Sequence, residues 1–319
     1  MYWAFGDDAL NRSSRLNEDK RSNIERKNSR TMQDSELNKK RDEIIAKVVE
    51  MPAMPAASID LIAVIHDPDV TVDQLVGVME HDQGLTANIL RWANSVYFGG
   101  RHEVYSVRNA IVRLGLDQMK LVVIASIAAP MVRQQIEGYD LPPNSLLEHS
   151  IVAAIGTREI AEELGIEAPS YAFTAGLLHD IGKIVLGTFV KVESKPMMRM
   201  VQEEDITFDE AERRILGIDH AEVGALLLEG WKIPQSIVDV VRWHHEPDGF
   251  EGDSSVIDLV HVACYLSTRC GLGVGIDGVH YRLDESVAAR IKISSSQYEM
   301  LAEQVLTGLS EVRESFSVA

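Results

Sequence analysis

Six of the ten histidines fall between residues 149 and 261: His149, His179, His220, His244, His245 and His261. Four of them stand beside groups that bear on chemistry. AGLLHDIGK sets His179 against Asp180 on a mostly apolar segment, with Gly182-Lys183 directly after. DHAEVGALLLEGW places His220 at a helix start behind Asp219, and VRWHHEPDG closes another helix on the His244-His245 pair. Neutral imidazole nitrogens and hard carboxylate oxygens delivered from several helices are the donor set of a di-metal hydrolase, in which two cations activate a water. Taken singly, each has a plainer reading. A His-Asp pair can hold its own ring by hydrogen bonding, adjacent His244 and His245 diverge by about 100° on a helix, and Lys183 at a helix end can be a solvated charge.

The elements that must deliver these groups are helical. From Asp42 onward apolar residues recur at helical spacing, and Val, Ile and Thr clusters never settle into strand alternation, so the expected fold class is all-α in two helical lobes. Ile44, Ile45, Val48 and Val49 form a stripe stopped by the prolines at 52 and 55, which read as a rigid turn leading into the lobe. Ser58 caps a helix broken at Asp67-Pro68, and Thr71 opens the next. The helix at 85–98 carries Trp92, Tyr97 and Phe98 as core or lobe-contact residues and Asn94 as a satisfied amide. Ser106 caps a helix that Gly115 ends, and a long apolar helix starts at Asp117 with a kink expected at Pro130.

The turn-rich EGYDLPPNS at 137–145 separates an N-terminal lobe (about 42–137) from a second lobe (about 142–250). Helices are expected there near 146–164, 170–186, 207–216, 219–230 and 234–245, and the C-terminal region 251–319 adds 254–270 and 295–316. Thr207 with Glu210 and Asp219 with Glu222 read as capping boxes. GLGVGIDG at 271–278 neither follows a strand nor opens a helix, so it is read as a loop and not a phosphate cradle.

The 319 residues carry 31 Lys+Arg against 49 Asp+Glu, a net charge of −18 that disfavours general nucleic-acid binding and anionic membrane surfaces. No uninterrupted apolar run reaches the ~18–20 residues of a membrane span, and the opening MYWAFGDDALNRSSR lacks a signal-peptide core, so a cytoplasmic location is expected. Cys264 and Cys270 lie ~9 Å apart if they share one helix, beyond disulfide reach. Residues 1–41 are polar with a net charge of +3 and read as a disordered or partly helical tail, too short to fold as a sensor, so input is expected in trans.

HDIGK, preceded by His149 and followed by His220 and His244-His245, resembles the HD superfamily of metal-dependent phosphohydrolases. The first lobe narrows the resemblance. MPAMPAASIDLIAVIHDPDVTVDQLVGVMEHDQGLTANILRWANSVYFGG, with SVRNAIVRLGLDQM after it, is similar to the HDOD (HD-related output domain) family over roughly residues 45–250. The resemblance implies an HD-type helical bundle for the second lobe. It also implies a bacterial signalling module that works by regulation or interaction. Enzymatic HD-GYP relatives hydrolyse cyclic di-GMP at a two- or three-iron site. By that resemblance His149, His179, Asp180, His220, His244 and His245 correspond to metal ligands for iron, manganese or zinc, and Lys183 to a lysine that approaches a substrate phosphate.

Two departures follow from the same comparison. HD enzymes place a closing Asp on the helix after the histidine pair, and VIDLVHVACYLS has Cys264 there, a soft donor in place of a hard oxygen. Asp258 and His261 share its face at three-residue steps and are candidates to compensate. HHEPDGFEGD also lacks the Gly-Tyr-Pro continuation. The expected function is therefore signal transduction through contacts with a kinase, cyclase or regulator, without turnover. The alternatives are a metal-dependent phosphohydrolase acting on a nucleotide or cyclic dinucleotide, and a nucleotide sensor that does not hydrolyse.

Overall fold

A computed structural model describes residues 34–50, 61, 64, 70–80, 82–95, 103–273 and 275–317, apart from the side chains at 117, 279 and 311–317. The leader 1–33, the proline turn at 51–55, the Ser58 cap and the positions of His66, His81, Tyr97, Phe98 and His102 lie outside the described residues. Among the described residues the chain is all-α, its one β feature being an isolated bridge between Ile136 and Leu141.

The first helix, α1, spans 34–50 and buries Ile44 and Val48. It includes the last residues of the expected tail: Lys40 pairs with Glu193 and Arg41 with Glu222, each at 2.7 Å. The helices α2 (Val72–Met79), α3 (Gln83–Asn94) and α4 (Val107–Leu114) follow, and each starts where a side chain accepts from an orphan N–H of the first turn. Thr71 makes a full capping box with Gln74, Asp82 accepts from Leu85 N, and Ser106 accepts from Asn109 N. Gly115, at φ 80°, ends α4 and begins α5 (Leu116–Val132), and Pro130 lies in the last turn of α5. The Asn94 amide is satisfied as expected: it donates to the Val104 carbonyl (2.9 Å) and accepts from Val104 N–H (2.8 Å), holding the chain after α3.

After a 3-10 turn at Glu137–Tyr139 that buries Gly138 and Tyr139 come α6 (Ser145–Leu164), α7 (Ala172–Leu178), α8 (Lys183–Glu204), α9 (Phe208–Leu216), α10 (His220–Gly230) and α11 (Gln235–Trp243). The chain closes with α12 (Ser255–Arg269), the short α13 (Glu285–Arg290) and α14 (Ser295–Ser317). The helix α6 is the axis of this part, packed by α7, α12 and α14, while α14 also touches α3. Fully buried Trp92 of α3 meets Phe173 of α7 edge-on with ring centroids 5.9 Å apart, the lobe contact expected of it.

Three local expectations need correction. The single helix expected at 170–186 is two, because the chain turns at 179–182 between α7 and α8. Gly182 lies against α10 so closely that a Cβ there would stand 2.0 Å from the His220 carbonyl oxygen. The helix α8 also runs on to Glu204 through Pro196, carried by the buried face Val190, Met197 and Val201. Thr207 caps α9 without a side-chain hydrogen bond, since Glu210 turns to Arg214. Asp219 does accept from Glu222 N, but the Glu222 side chain reaches Arg41 instead of closing the box. The stretch Ala172–Glu204 is long and apolar enough to cross a bilayer by composition, yet 83% of its apolar window is buried within the protein.

The close approach at Gly182 gives a stability test. The atoms that a Cβ would strike, His220 O at 2.0 Å and Gly224 N at 2.5 Å, are backbone and cannot rotate away. Gly182→Ala should cost at least about 2–3 kcal/mol as overpacking, a fall of roughly 5–10 °C in Tm for a chain of this size. Gly230→Ala, with no atom within 4 Å of the added carbon, should leave Tm within about 2 °C of the parent. Thermal denaturation followed by circular dichroism compares them.

Candidate metal centre

Six helices converge on one carboxylate. His149 projects from α6, His179 and Asp180 sit in the turn between α7 and α8, Lys183 opens α8, and His220 opens α10. His244 and His245 follow the end of α11, and Cys264 lies on α12. Asp180 is fully buried. Its Oδ2 lies 3.4 Å from His149 Nε2, 3.4 Å from His179 Nε2 and 2.6 Å from Lys183 Nζ. Its Oδ1 lies 3.2 Å from His220 Nε2 and 3.8 Å from His244 Nε2. One carboxylate therefore stands between two donor groups: His149, His179 and Cys264 on one side, His220, His244 and His245 on the other.

All six expected ligand residues are brought together. The predicted divergence of His244 and His245 does not arise, because α11 ends at Trp243 and the pair occupies the bend that follows, with ring centroids 4.0 Å apart. His245 Nε2 comes to 2.8 Å from His220 Nε2.

The outer ring nitrogens fix where the inner ones point. His179 Nδ1 donates to the Gly176 carbonyl (2.8 Å), His244 Nδ1 to the Val241 carbonyl (2.7 Å) and His149 Nδ1 to the Leu272 carbonyl (3.1 Å). A carbonyl only accepts, so the proton sits on Nδ1 and each Nε2 turns a lone pair inward. His220 Nδ1 donates to Glu212 Oε2 (2.8 Å), which also accepts the His220 backbone N–H (2.9 Å). That is the carboxylate–histidine pairing found behind metal ligands. His179 Nε2, His244 Nε2 and Asp180 Oδ1 are buried with no hydrogen-bond partner. Orphaned buried acceptors are rare, and His179 Nε2 in one donor group and His244 Nε2 in the other each fit a cation.

The electrostatics agree. Burial works against ionising Asp180, but His179, Lys183 and His220 outweigh it and hold the carboxyl well below the usual carboxylate range. Burial pushes His179 down to about 4, and burial with neighbouring imidazoles pushes His244 and His245 well below the ordinary histidine range, so all three are neutral donors. His220 goes the other way. Burial opposes its charge, yet Glu212 and Asp180 together lift it to about 10, so without a cation an imidazolium stands between two carboxylates. Burial, with Asp180 nearby, pushes the Cys264 thiol up.

Asp258 and His261 do not take the place of the closing Asp. Asp258 holds Arg290 through two contacts of 2.7 and 2.9 Å. His261 Nδ1 donates to the His244 carbonyl (2.7 Å) and its Nε2 accepts from Asp284 N–H (3.0 Å). Both side chains are spent on bracing the wall behind the site.

Two participants escaped the sequence reading. Glu212 lies four residues after Phe208 on the apolar face of amphipathic α9, and an acid at such a position was the available clue; it also accepts from Tyr139 Oη at 2.6 Å. Asp277, in the loop read as inert, reaches back to Lys183 at 2.6 Å. Lys183 is thus not the solvated helix-end charge of the plainer reading but a buried ammonium between Asp180 and Asp277. The cavity over the cluster, lined by His149, Lys183, His220, Cys264, Asp277 and Tyr281 among others, has a volume of about 20 Å³.

The HDOD domain model matches residues 51–247. The structure of a Shewanella amazonensis SB2B protein, named a phosphohydrolase, superposes with a TM-score of 0.64 at 28% identity, covering 85% of this chain and 97% of that one. An HDOD domain protein of unknown function from Geobacter sulfurreducens superposes with a TM-score of 0.59 at 25% identity, covering 86% and 94%. By sequence, an uncharacterized protein of Treponema pallidum (strain Nichols) is 23% identical over 202 residues, which span 63% of this chain and 39% of that protein. Ribonuclease Y of Thermus thermophilus is 33% identical over 107 residues, 34% of this chain and 14% of that enzyme. The match thus spans well under half the length of these curated relatives. The all-α fold, the joined donor residues and a family model covering more than half of the residues agree: the chain belongs to the HDOD domain family.

Proposed function

We propose that the protein is a bacterial, cytoplasmic signal-transduction module that holds divalent metal at its HD-like centre and acts through protein–protein contacts without turnover. The observation that carries this reading is the combination at Asp180: unpartnered ligand atoms of His179, His244 and Asp180 lie buried behind a cavity of only about 20 Å³, which His149, His220, His245 and Cys264 help to line. That is room for a water or two, far below the roughly 300 Å³ or more of a ligand pocket. The donor set suits the cation better than the cavity suits a phosphoester.

His149, His179, Asp180, His220, His244 and His245 would hold the metal, and iron, manganese and zinc are all compatible with imidazole and carboxylate donors. When bound, it would supply positive charge that relieves the buried Asp180 and displaces the proton on His220. The remaining work is done by the chain. Glu212 orients His220, the Gly176 and Val241 carbonyls orient His179 and His244, and Lys183 ties α8 to the loop carrying Asp277. A bundle cross-linked in this way would present a fixed outer surface to a kinase, cyclase or regulator.

A second reading, a metal-dependent phosphohydrolase of a nucleotide or cyclic dinucleotide such as cyclic di-GMP, is favoured by one observation, the assembly of every expected histidine and Asp180 around one centre. A non-hydrolysing nucleotide sensor is the form that reading takes if ligand enters and no bond breaks.

Protein purified anaerobically without a histidine tag should carry stoichiometric iron, manganese or zinc by mass spectrometry. His179→Ala combined with Asp180→Ala should reduce it at least about tenfold, in line with loss of two direct donors. A folded parent without metal would overturn the metal-holding half of the proposal. The metal-loaded parent should leave cyclic di-GMP and bis-nitrophenyl phosphate intact over hours. Release of product by the parent would install the phosphohydrolase reading instead, and in that case Cys264→Asp should raise the rate by restoring a hard closing oxygen.

A further inference from the structure

We infer that Cys264 is itself a metal ligand, and that with His149, His179 and Asp180 it forms a four-donor tetrahedral site with a preference for zinc. The inference rests on the metal-holding reading above and specifies one of its two sites.

The argument is geometric. A tetrahedral zinc ion sits ~2.3 Å from a thiolate sulfur and ~2.0–2.1 Å from nitrogen and oxygen, which sets ligand-to-ligand edges of about 3.6 Å for S···N and about 3.4 Å for N···O. Right-angle donors around an octahedral ion at ~2.1 Å would instead lie about 3.0 Å apart. Cys264 Sγ is 3.5 Å from His149 Nε2, and Asp180 Oδ2 is 3.4 Å from both His149 Nε2 and His179 Nε2. These three of the six edges have tetrahedral length, and the donor atoms of His149, His179 and Cys264 all lie within 4.8 Å of one another. The other donor group is irregular by the same measure, with edges of 2.8, 3.2 and 3.8 Å, so the two sites are built for different coordination.

The surroundings support a closed structural site. His149, His179, Asp180 and Cys264 are all buried, and His179 Nε2 has no other partner. The loop behind His149 is pressed close: a Cβ at Gly273 would fall 2.5 Å from His149 Cβ, which leaves no approach for a large substrate from that side. Two imidazoles, a carboxylate and a thiolate with no open position are the donors of a holding site, and sulfur shifts selectivity from manganese and magnesium toward zinc. On binding, the Cys264 S–H bond breaks, the sulfur–metal bond forms and the proton leaves to solvent; no electron is transferred. Cys264 then replaces the missing closing Asp in ligand count while changing which metal the site selects.

Cobalt(II) titration of the full chain, stripped by chelation, tests this directly, because thiolate ligation gives a near-ultraviolet sulfur-to-cobalt charge-transfer band that imidazole and carboxylate do not. The expected result is a band that saturates at one equivalent, is absent in Cys264→Ser and persists in Cys270→Ser. One equivalent of zinc should abolish it, whereas about tenfold excess of manganese should not. Cobalt bound by equilibrium dialysis without the band, or a band that survives Cys264→Ser, overturns the assignment. The parent measurement needs no variant, so misfolding of Cys264→Ser cannot rescue it. If no cobalt binds at all, the metal-holding reading falls together with this one, an outcome distinct from cobalt bound without sulfur.

Discussion

The molecule is organised around one buried anion. Asp180 is held at zero exposure, an arrangement that costs several kcal/mol in an apolar interior unless opposite charge and hydrogen-bond donors surround it. Here the compensation comes from Lys183 on α8 at 2.6 Å and from the His220 imidazolium on α10 at 3.2 Å. Each is anchored to a different helix, so satisfying one carboxylate fixes how those helices meet. That explains why the chain tolerates a turn at 179–182 inside an apolar run, and why Gly182 must lie against the backbone of α10: without that approach His220 would not reach Asp180.

Around this centre lies a shell whose members touch no common ligand but determine ring orientation. Glu212 joins His220 to Tyr139, so the 3-10 turn that links the two lobes is tied to the centre through two hydrogen bonds. Arg213 beside it binds Asp209, Asp219 and Glu246 at once, connecting the start of α10 to the residue after His245. Through Arg41 and Glu222 the first helix joins the same end of α10. A change at α1 or in the partners of Arg213 therefore has a short physical path to His220. This is the kind of connection a signalling module requires, since a shift in buried charge is felt by every helix that compensates it.

Neutral inward-facing nitrogens, an ionised carboxylate and orphaned acceptors describe a centre prepared for cations, while the small cavity and the Asp277 contact to Lys183 leave little room for a phosphoester beside them. Cys264 belongs to this balance. As a replacement for a hard bridging oxygen it is poor, but as a fourth donor at tetrahedral distance it is well placed, and the two roles lead to different metals and different activities.

Much of this was legible in the linear chain. The all-α class follows from helical spacing of apolar residues, and the Ser106 cap and the Gly115 stop follow from local rules that act within a few residues. The candidate ligands were legible through the resemblance to the HD superfamily, which singles out His149, His179, Asp180, His220, His244 and His245 among the acids and histidines of that stretch. What stayed hidden depends on contacts between residues distant in sequence. The continuation of α8 past 186 and through Pro196 is one such feature, carried by the packing of Val190, Met197 and Val201. Glu212 and Asp277 look like ordinary surface acids until folding brings them to His220 and Lys183, and Asp258 looks like a spare ligand until Arg290 claims it. The sequence by itself determined which atoms are able to bind a cation and which segments are helical, since both are properties of residue type and local spacing. Only the tertiary structure decided which of those atoms meet, because burial and pairing are set by the whole fold.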